Sequence, residues 1–209
     1  PGELAFGQAA PSGLSALMLE PGFNVVFAGN LGTVQALGTV LDAAELLLPH
    51  VDVRIVLVGS GSRSEWLQQE VVRRQLGNVQ LAGRFPTETM PGILAQASAL
   101  LVSLVRSPIM SQTVPSKIQA YLAAGKPIIA SLDGEGARVI DASGAGIACP
   151  AEDAAALAEA VLQLRAISHA ELQRMGAAGQ LYYKQHFDPA VLAEKLLRHF
   201  KSVLAEIKP

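Results

Sequence analysis

The sequence contains one cysteine, Cys149, so no internal disulfide staples the chain. That fits a reducing, cytoplasmic compartment. The four histidines, His50, His169, His186 and His199, lie far apart and offer no metal-ligand spacing, so no metal site is expected. No apolar run approaches the roughly 20 residues of a membrane-spanning helix, and no charged-then-apolar leader opens the chain. Sixteen Lys and Arg stand against eighteen Asp and Glu, a formal charge of −2. This balance leaves no basic stripe of the kind that nucleic acid or an anionic membrane selects. Acid/base or nucleophilic constellations are also missing, because Ser60 and Ser62 have no neighbouring histidine and Cys149 falls in an apolar strand-like run. That points to binding or substrate-assisted transfer rather than hydrolysis. An initiating Met is absent as well. With residues 1–22, rich in Pro and Gly and without sustained period, this leads to the expectation of a linker or tail joining the chain to a missing N-terminal domain.

What is present is apolar and periodic. Half of the 209 residues are hydrophobic, enough for a sizeable core. Phe23 to Ala28 reads as a buried strand, Gly29-Asn30-Leu31-Gly32 as a turn, and Thr33 to Leu48 as a helix with apolar residues at Leu37, Val40, Leu41, Ala44 and Leu48. The unit repeats as a strand over Val53 to Val58, a Gly59-Ser60-Gly61-Ser62 turn, and a helix over Ser64 to Gln75, capped by Ser64 and stopped by Gly77. Further strands are expected at Val79 to Ala82, Ala99 to Leu104, the segment ending at Ser131, and Gly146 to Cys149. Further helices are expected from Met90 to Gln96 behind a Thr87 cap, over one or two turns from Gly134 to Ile140, and at Ala154 to Ile167, Glu171 to Lys184 and Pro189 to Ile207. Short apolar strands alternating with helices imply an α/β fold: a doubly wound, Rossmann-like parallel sheet over residues 23–209 with helices on both faces. In such sheets ligands gather at the carboxyl ends of the strands.

The stretch from Ser111 to Ser131 is the most informative. Pro115 suits the first position of a helix and Gly125 the residue just past its end, after which Pro127 opens a buried strand. A polar loop therefore presents a helix N-terminus on one side of a buried strand. Lys117, in the first helical turn, opposes the helix dipole at a cost of about a few tenths of a kcal/mol. A bound diphosphate would reverse that sign; a solvated lysine is the other reading. Gly29 to Gly32 and Gly59 to Ser62 admit two readings too: close backbone approach to an anion, or tight turns alone. Arg63 and Arg84 stand at strand ends, as ligand contacts or as surface groups. Glu135 and Arg138 reach a ligand or pair with each other.

The ordered series of Gly29, Val58-Gly-Ser-Gly61, Gly83-Arg-Phe-Pro86, Pro115-Ser-Lys117, Tyr121-Leu-Ala-Ala-Gly-Lys-Pro127 and Asp133-Gly-Glu-Gly-Ala-Arg138 resembles the C-terminal half of a GT-B glycosyltransferase. It is most similar to glycosyltransferase family 4, of the bacterial surface-polysaccharide type. The resemblance, over about residues 23 to 200, implies a donor-binding half of a retaining, metal-independent enzyme. Such an enzyme transfers a hexose or N-acetylhexosamine from a nucleotide sugar, a UDP-sugar first, with the acceptor and a base supplied by the N-terminal half. No cofactor beyond the donor is implied. A cytoplasmic location, or a membrane-peripheral one through the missing domain, is expected, and the fragment alone is expected to be inactive.

By the same resemblance, Gly29 and Asn30 lie against the donor phosphates, Gly59 and Gly61 line the nucleotide cleft, and Arg84 and Phe85 frame the base. Gln112, Thr113, Val114, Ser116 and Lys117 cradle diphosphate and sugar, with Glu135 beside them and Lys117 and Gln112 as catalytic groups. The sequence departs from the family at four charged positions: Gln112 and Ala120 replace two glutamates, and Asn30 and Gln35 replace an Arg and a Lys. A non-catalytic nucleotide-sugar-binding module or degenerate partner is therefore the alternative. A sugar-nucleotide epimerase of similar architecture would require acidic and histidine residues around the cleft, and the sequence shows no such cluster. The terminal helix, apolar at Leu196, Leu197, Phe200 and Leu204, is expected to pack on its own sheet or on the missing domain.

Overall fold

A computed structural model describes residues 17–206. Its six strands are β1 (Phe23–Ala28), β2 (Val53–Val58), β3 (Val79–Gly83), β4 (Ala99–Ser103), β5 (Ile128–Ser131) and β6 (Gly146–Cys149). All pair in parallel, in the order β3-β2-β1-β4-β5-β6. This is the doubly wound order, and its strand direction of travel reverses between β1 and β4. The apolar runs fix the inner strands β2, β1, β4 and β5 because these are covered on both faces, whereas the edge strands β3 and β6 are only partly buried. Val25 and Phe27 of β1 face one core, while Val26 faces the other, as the two-residue period of a strand requires.

On the first face lie α1 (Leu37–Leu46) and α7 (Ala154–Ala166), with α2 (Ser64–Arg73) contributing Leu67. The second face is covered by α3 (Met90–Gln96), α5 (Ser116–Ala124) and α6 (Glu135–Ser143). A single turn, α4 (Pro108–Ser111), precedes α5, and α8 (His169–His186) lies against α5. Gly176 permits that approach, since a β-carbon there would stand 2.1 Å from the Gly125 carbonyl oxygen. The last helix, α9 (Pro189–Glu206), leaves Leu192, Leu196, Leu197 and Phe200 about half exposed, so these residues are not packed on the sheet.

Several boundaries differ from the sequence expectation, each for a local reason. The helix expected from Thr33 begins only at Leu37. The Gln35 side chain accepts the Gly32 N–H at 3.0 Å and closes a short 3-10 turn, after which Ala36 takes a left-handed φ of 44°. Ser64 is the first helical residue of α2 rather than its cap, and its hydroxyl accepts the Gly61 N–H at 2.9 Å. The left-handed residue after α2 is Gln75, at φ 55°, two positions before Gly77. Pro115 is the cap of α5, one position earlier than expected, whereas Gly125 ends the helix at φ 70° as anticipated. Thr87 opens a separate 3-10 turn ahead of α3. In α6 the helix continues to Ser143, to be stopped by Gly144 at φ 61°.

The proposed linker lies outside the described residues up to residue 16. From Leu17 onward the chain is tied down: Gln96 donates to the Leu17 carbonyl at 2.9 Å and accepts the Leu19 N–H at 3.1 Å. Glu20 pairs with Arg54 at 2.5 Å.

Candidate functional site

The crevice beyond β1 and β4 is built first by α5. β1 pairs with β4 through Val25–Ala99 and Val26–Leu100. Two residues further along β1, the buried Tyr121 hydroxyl accepts the Ala28 N–H at 2.9 Å and donates to the Ala28 carbonyl at 3.3 Å. Burial pushes this phenol above its ordinary range, so it stays protonated and able to donate. One helical turn earlier, Lys117 shares that face of α5. Its ammonium stands 4.4 Å from the centroid of the Phe27 ring, a cation–π contact. It also lies directly on Gly29, where a β-carbon would be 2.3 Å from Nζ.

Lys117 makes no salt bridge among the described residues, and burial holds its pKa below the usual lysine value. The α5 N-terminus beside it has no side-chain cap and no acidic residue in its first turn. A half-buried cation and uncapped helix amides at a strand-end crevice form a place where an anion gains from both.

The two glycine turns meet backbone to backbone. A β-carbon on Gly59 would stand 1.8 Å from the Gly29 carbonyl oxygen, and one on Gly61 would stand 2.4 Å from that of Leu31. Their N–H groups donate inside the protein: Gly29 to Val58 O at 2.8 Å, Gly59 to Gly83 O at 2.7 Å, and Gly61 to Ser64 Oγ. Of the two readings for the glycine turns, these three amides fit the tight, close-packed turn. What the glycines supply is room. Beside them opens a cleft of about 330 Å³ lined by Gly29, Asn30, Gly59, Arg84, Phe85 and Met90, among others. Five residues singled out in the sequence thus share one wall-and-floor arrangement.

The loop leading to α5 leaves Gln112, Thr113 and Ser116 exposed and Val114 partly buried against the second core. It is held by α4, since Thr113 Oγ1 donates to the Met110 carbonyl at 3.0 Å. The N-termini of α5 and α6 are close: a β-carbon on Gly136 would meet Ile118 at 3.1 Å and Pro115 at 3.3 Å. Of the two readings for Glu135, the structure shows the ion pair with Arg138. Arg63 lies over the Trp66 ring at 4.0 Å. Gln35, one of the four positions where the sequence departs from the resembled pattern, accepts the Gly32 N–H.

Sequence reasoning missed α4 and Arg106. The Arg106 guanidinium donates to the Ala151 carbonyl at 2.7 Å and faces Asp133 at 3.4 Å, while its N–H donates to Glu152 at 3.1 Å. It ties together the carboxyl ends of β4, β5 and β6. The available signal was a charged residue after each of three consecutive strands. Among the described residues no three His, Cys, Asp or Glu side chains gather as a metal site, and no helix is long and apolar enough to cross a membrane.

Residues 22–166 match the family described as Glycosyl transferases group 1. The probable glycosyltransferase WbjE of Pseudomonas aeruginosa is 27% identical over 184 residues, covering 87% of this chain and 45% of that protein. Among solved structures, Anabaena Alr3699/HepE in complex with UDP superposes with a TM-score of 0.74 at 18% identity, over 87% of this chain and 49% of that one. Its complex with UDP-glucose gives 0.71 at 19% identity, again over 87% and 49%. The C-terminal domain of a glycosyl transferase group 1 family protein, LpcC from Francisella tularensis, gives 0.66 at 13% identity, over 81% of this chain and 88% of that one. The chain thus spans about half the length of WbjE and of HepE.

Proposed function

The chain belongs to the Glycosyl transferases group 1 family, and from that premise we propose that it is the nucleotide-sugar-binding half of a retaining sugar transferase. The donor is a UDP-sugar carrying a hexose or N-acetylhexosamine, and the product belongs to polysaccharide or glycan biosynthesis. The observation that carries this reading is the half-buried ammonium of Lys117, in no salt bridge among the described residues, at the uncapped N-terminus of α5 and against Gly29. The HepE complexes with UDP and with UDP-glucose support the donor class.

In this reading the nucleotide base lies in the cleft beside Arg84 and Phe85, and the diphosphate spans from Gly29 and Asn30 to Lys117. Gln112, Thr113 and Ser116 face the sugar. As the glycosidic bond breaks, negative charge grows on the departing diphosphate. Lys117 and the α5 amides are preorganised to meet it, an effect worth roughly several kcal/mol when donors are aimed at developing charge. A preceding half binds the acceptor and supplies the base, so the chain alone catalyses no transfer. The exposed apolar residues of α9 fit packing against that half.

One observation favours the binding-only alternative: Gln35 is engaged with Gly32 and leaves one fewer group for the phosphates. Titration calorimetry of the full-length protein with UDP, paired with a transfer assay, distinguishes the two. Binding with turnover supports the enzyme; binding without turnover selects the module; absence of UDP binding sinks both.

A further inference from the structure

The face that α5 turns toward β1 touches three consecutive residues. Lys117 covers the Phe27 ring, Tyr121 takes both backbone groups of Ala28, and Lys117 Nζ rests on Gly29. The Ala28 groups lie beyond the last recorded β1–β4 pair, Val26–Leu100, where the strands part to make the crevice. A partly buried strand end there needs partners for its N–H and carbonyl. The phenol provides them in place of a neighbouring strand. Its ring is 2% exposed and packs in the second core, so the hydroxyl is rigidly held.

We propose that Tyr121 is the positioning residue for Lys117, fixing α5 on the end of β1 so that the ammonium meets the donor diphosphate at Gly29. The inference rests on the diphosphate role given to Lys117 above. Tyr121 is not among the residues that line the cleft beside Gly29; it acts through the helix. Removing its hydroxyl leaves the Ala28 groups without partners and lets the first turn of α5 shift by the small distance that separates a contact from a miss. Two hydrogen bonds of ordinary net strength correspond to about a tenfold change in the population of the aligned helix.

The test is a double-mutant cycle in the full-length protein: Tyr121→Phe and Lys117→Met, singly and together. UDP affinity is read by calorimetry, and the Lys117 amine by competitive acylation and peptide mass spectrometry. Y121F is expected to weaken UDP binding about tenfold in the wild-type background and not at all in the Lys117→Met background. It is also expected to raise Lys117 acylation relative to the exposed Lys184. Equal losses in both backgrounds, or unchanged Lys117 acylation, overturn the inference. If Lys117→Met alone leaves UDP affinity unchanged, the diphosphate reading fails, and acylation still decides whether Tyr121 holds Lys117. Should Y121F not fold, 3-fluorotyrosine at position 121 retains ring and hydroxyl while altering the hydrogen bonds. Unchanged acylation of Lys117 in that protein overturns the inference equally.

Discussion

Gly59 and Gly29 are in backbone contact: a β-carbon on Gly59 would stand 1.8 Å from the Gly29 carbonyl oxygen, far inside any real contact distance. Both residues also have a φ that L side chains rarely adopt, +139° and +140°. The neighbour of Gly29 is different in kind, because its β-carbon would meet the far end of a flexible lysine. Backbone cannot withdraw, whereas Lys117 Nζ can.

Two substitutions are therefore expected to separate. Gly59→Ala combines a strained φ with a backbone collision and should cost about 3 kcal/mol or more. Gly29→Ala should cost about 1–3 kcal/mol from strain, with Lys117 displaced from its seat. Urea denaturation midpoints with unchanged slopes give the comparison. A smaller loss for Gly59→Ala than for Gly29→Ala would contradict the close-packed double turn.

Replacing Lys117 tests the cation directly. A charge-assisted contact is worth about 1.5–3 kcal/mol, so Lys117→Met is expected to weaken UDP by roughly 10- to 150-fold. Thermal stability should change little or rise, since a desolvated cation in no salt bridge among the described residues is replaced by an apolar chain of similar length. Calorimetry and a melting curve on the same sample provide both readings. An unaltered Kd would remove Lys117 from the donor site.

The same lysine sets a pH dependence whose sign follows from burial. In the free protein its pKa lies below the ordinary 10.5. A bound diphosphate favours the ammonium and raises that pKa, so the complex holds more protons than the free protein between the two values. Affinity for UDP must then fall as pH rises through the free-protein pKa, and this fall begins below pH 10.5. The nucleotide's own titration is common to wild type and Lys117→Met, so the difference between their pH profiles isolates the lysine. A difference that is flat up to pH 10.5 would show that the ammonium does not meet the diphosphate.

The sheet was legible because its four inner strands are short apolar runs covered on two faces, as Val25, Val26 and Phe27, all fully buried, show. Gly125 was legible as a stop because φ 70° suits glycine. The site was legible only as a set of strand ends. Tyr121 reads in sequence as one more apolar helix residue, because its partner Ala28 is 93 positions away. The amides of Gly29 and Gly59 invited a phosphate reading, and only the parallel registers of β1 against β2 and of β2 against β3 reveal that they donate to Val58 and Gly83. A four-residue helix such as α4 has too few positions to show a period at all.

Cys149 gives a probe of the sheet's integrity. It is 8% exposed at the end of β6, and burial pushes its thiol up to about 11. Near pH 8 almost none of it is thiolate, the form that reacts. Iodoacetamide is expected to leave native protein unlabelled and to label it fully in urea, with a midpoint matching loss of circular dichroism. Labelling of the native chain at the rate of a free thiol would mean that β6 opens locally, away from the global transition.

The final helix separates what holds this chain together from what it offers outward. Leu196 and Phe200 lie four residues apart on one face of α9 and are 53% and 54% exposed. Side chains this exposed contribute little to the fold, and surface substitutions of this kind stay within about 0.5 kcal/mol. Leu196→Ser with Phe200→Ser should therefore leave the urea midpoint of this chain where it was. In the full-length protein the same pair should lower the melting temperature, since the apolar face would there be removed from a covering half. If the pair destabilises the chain alone as much as the longer protein, α9 belongs to the core of this domain and does not cross to another.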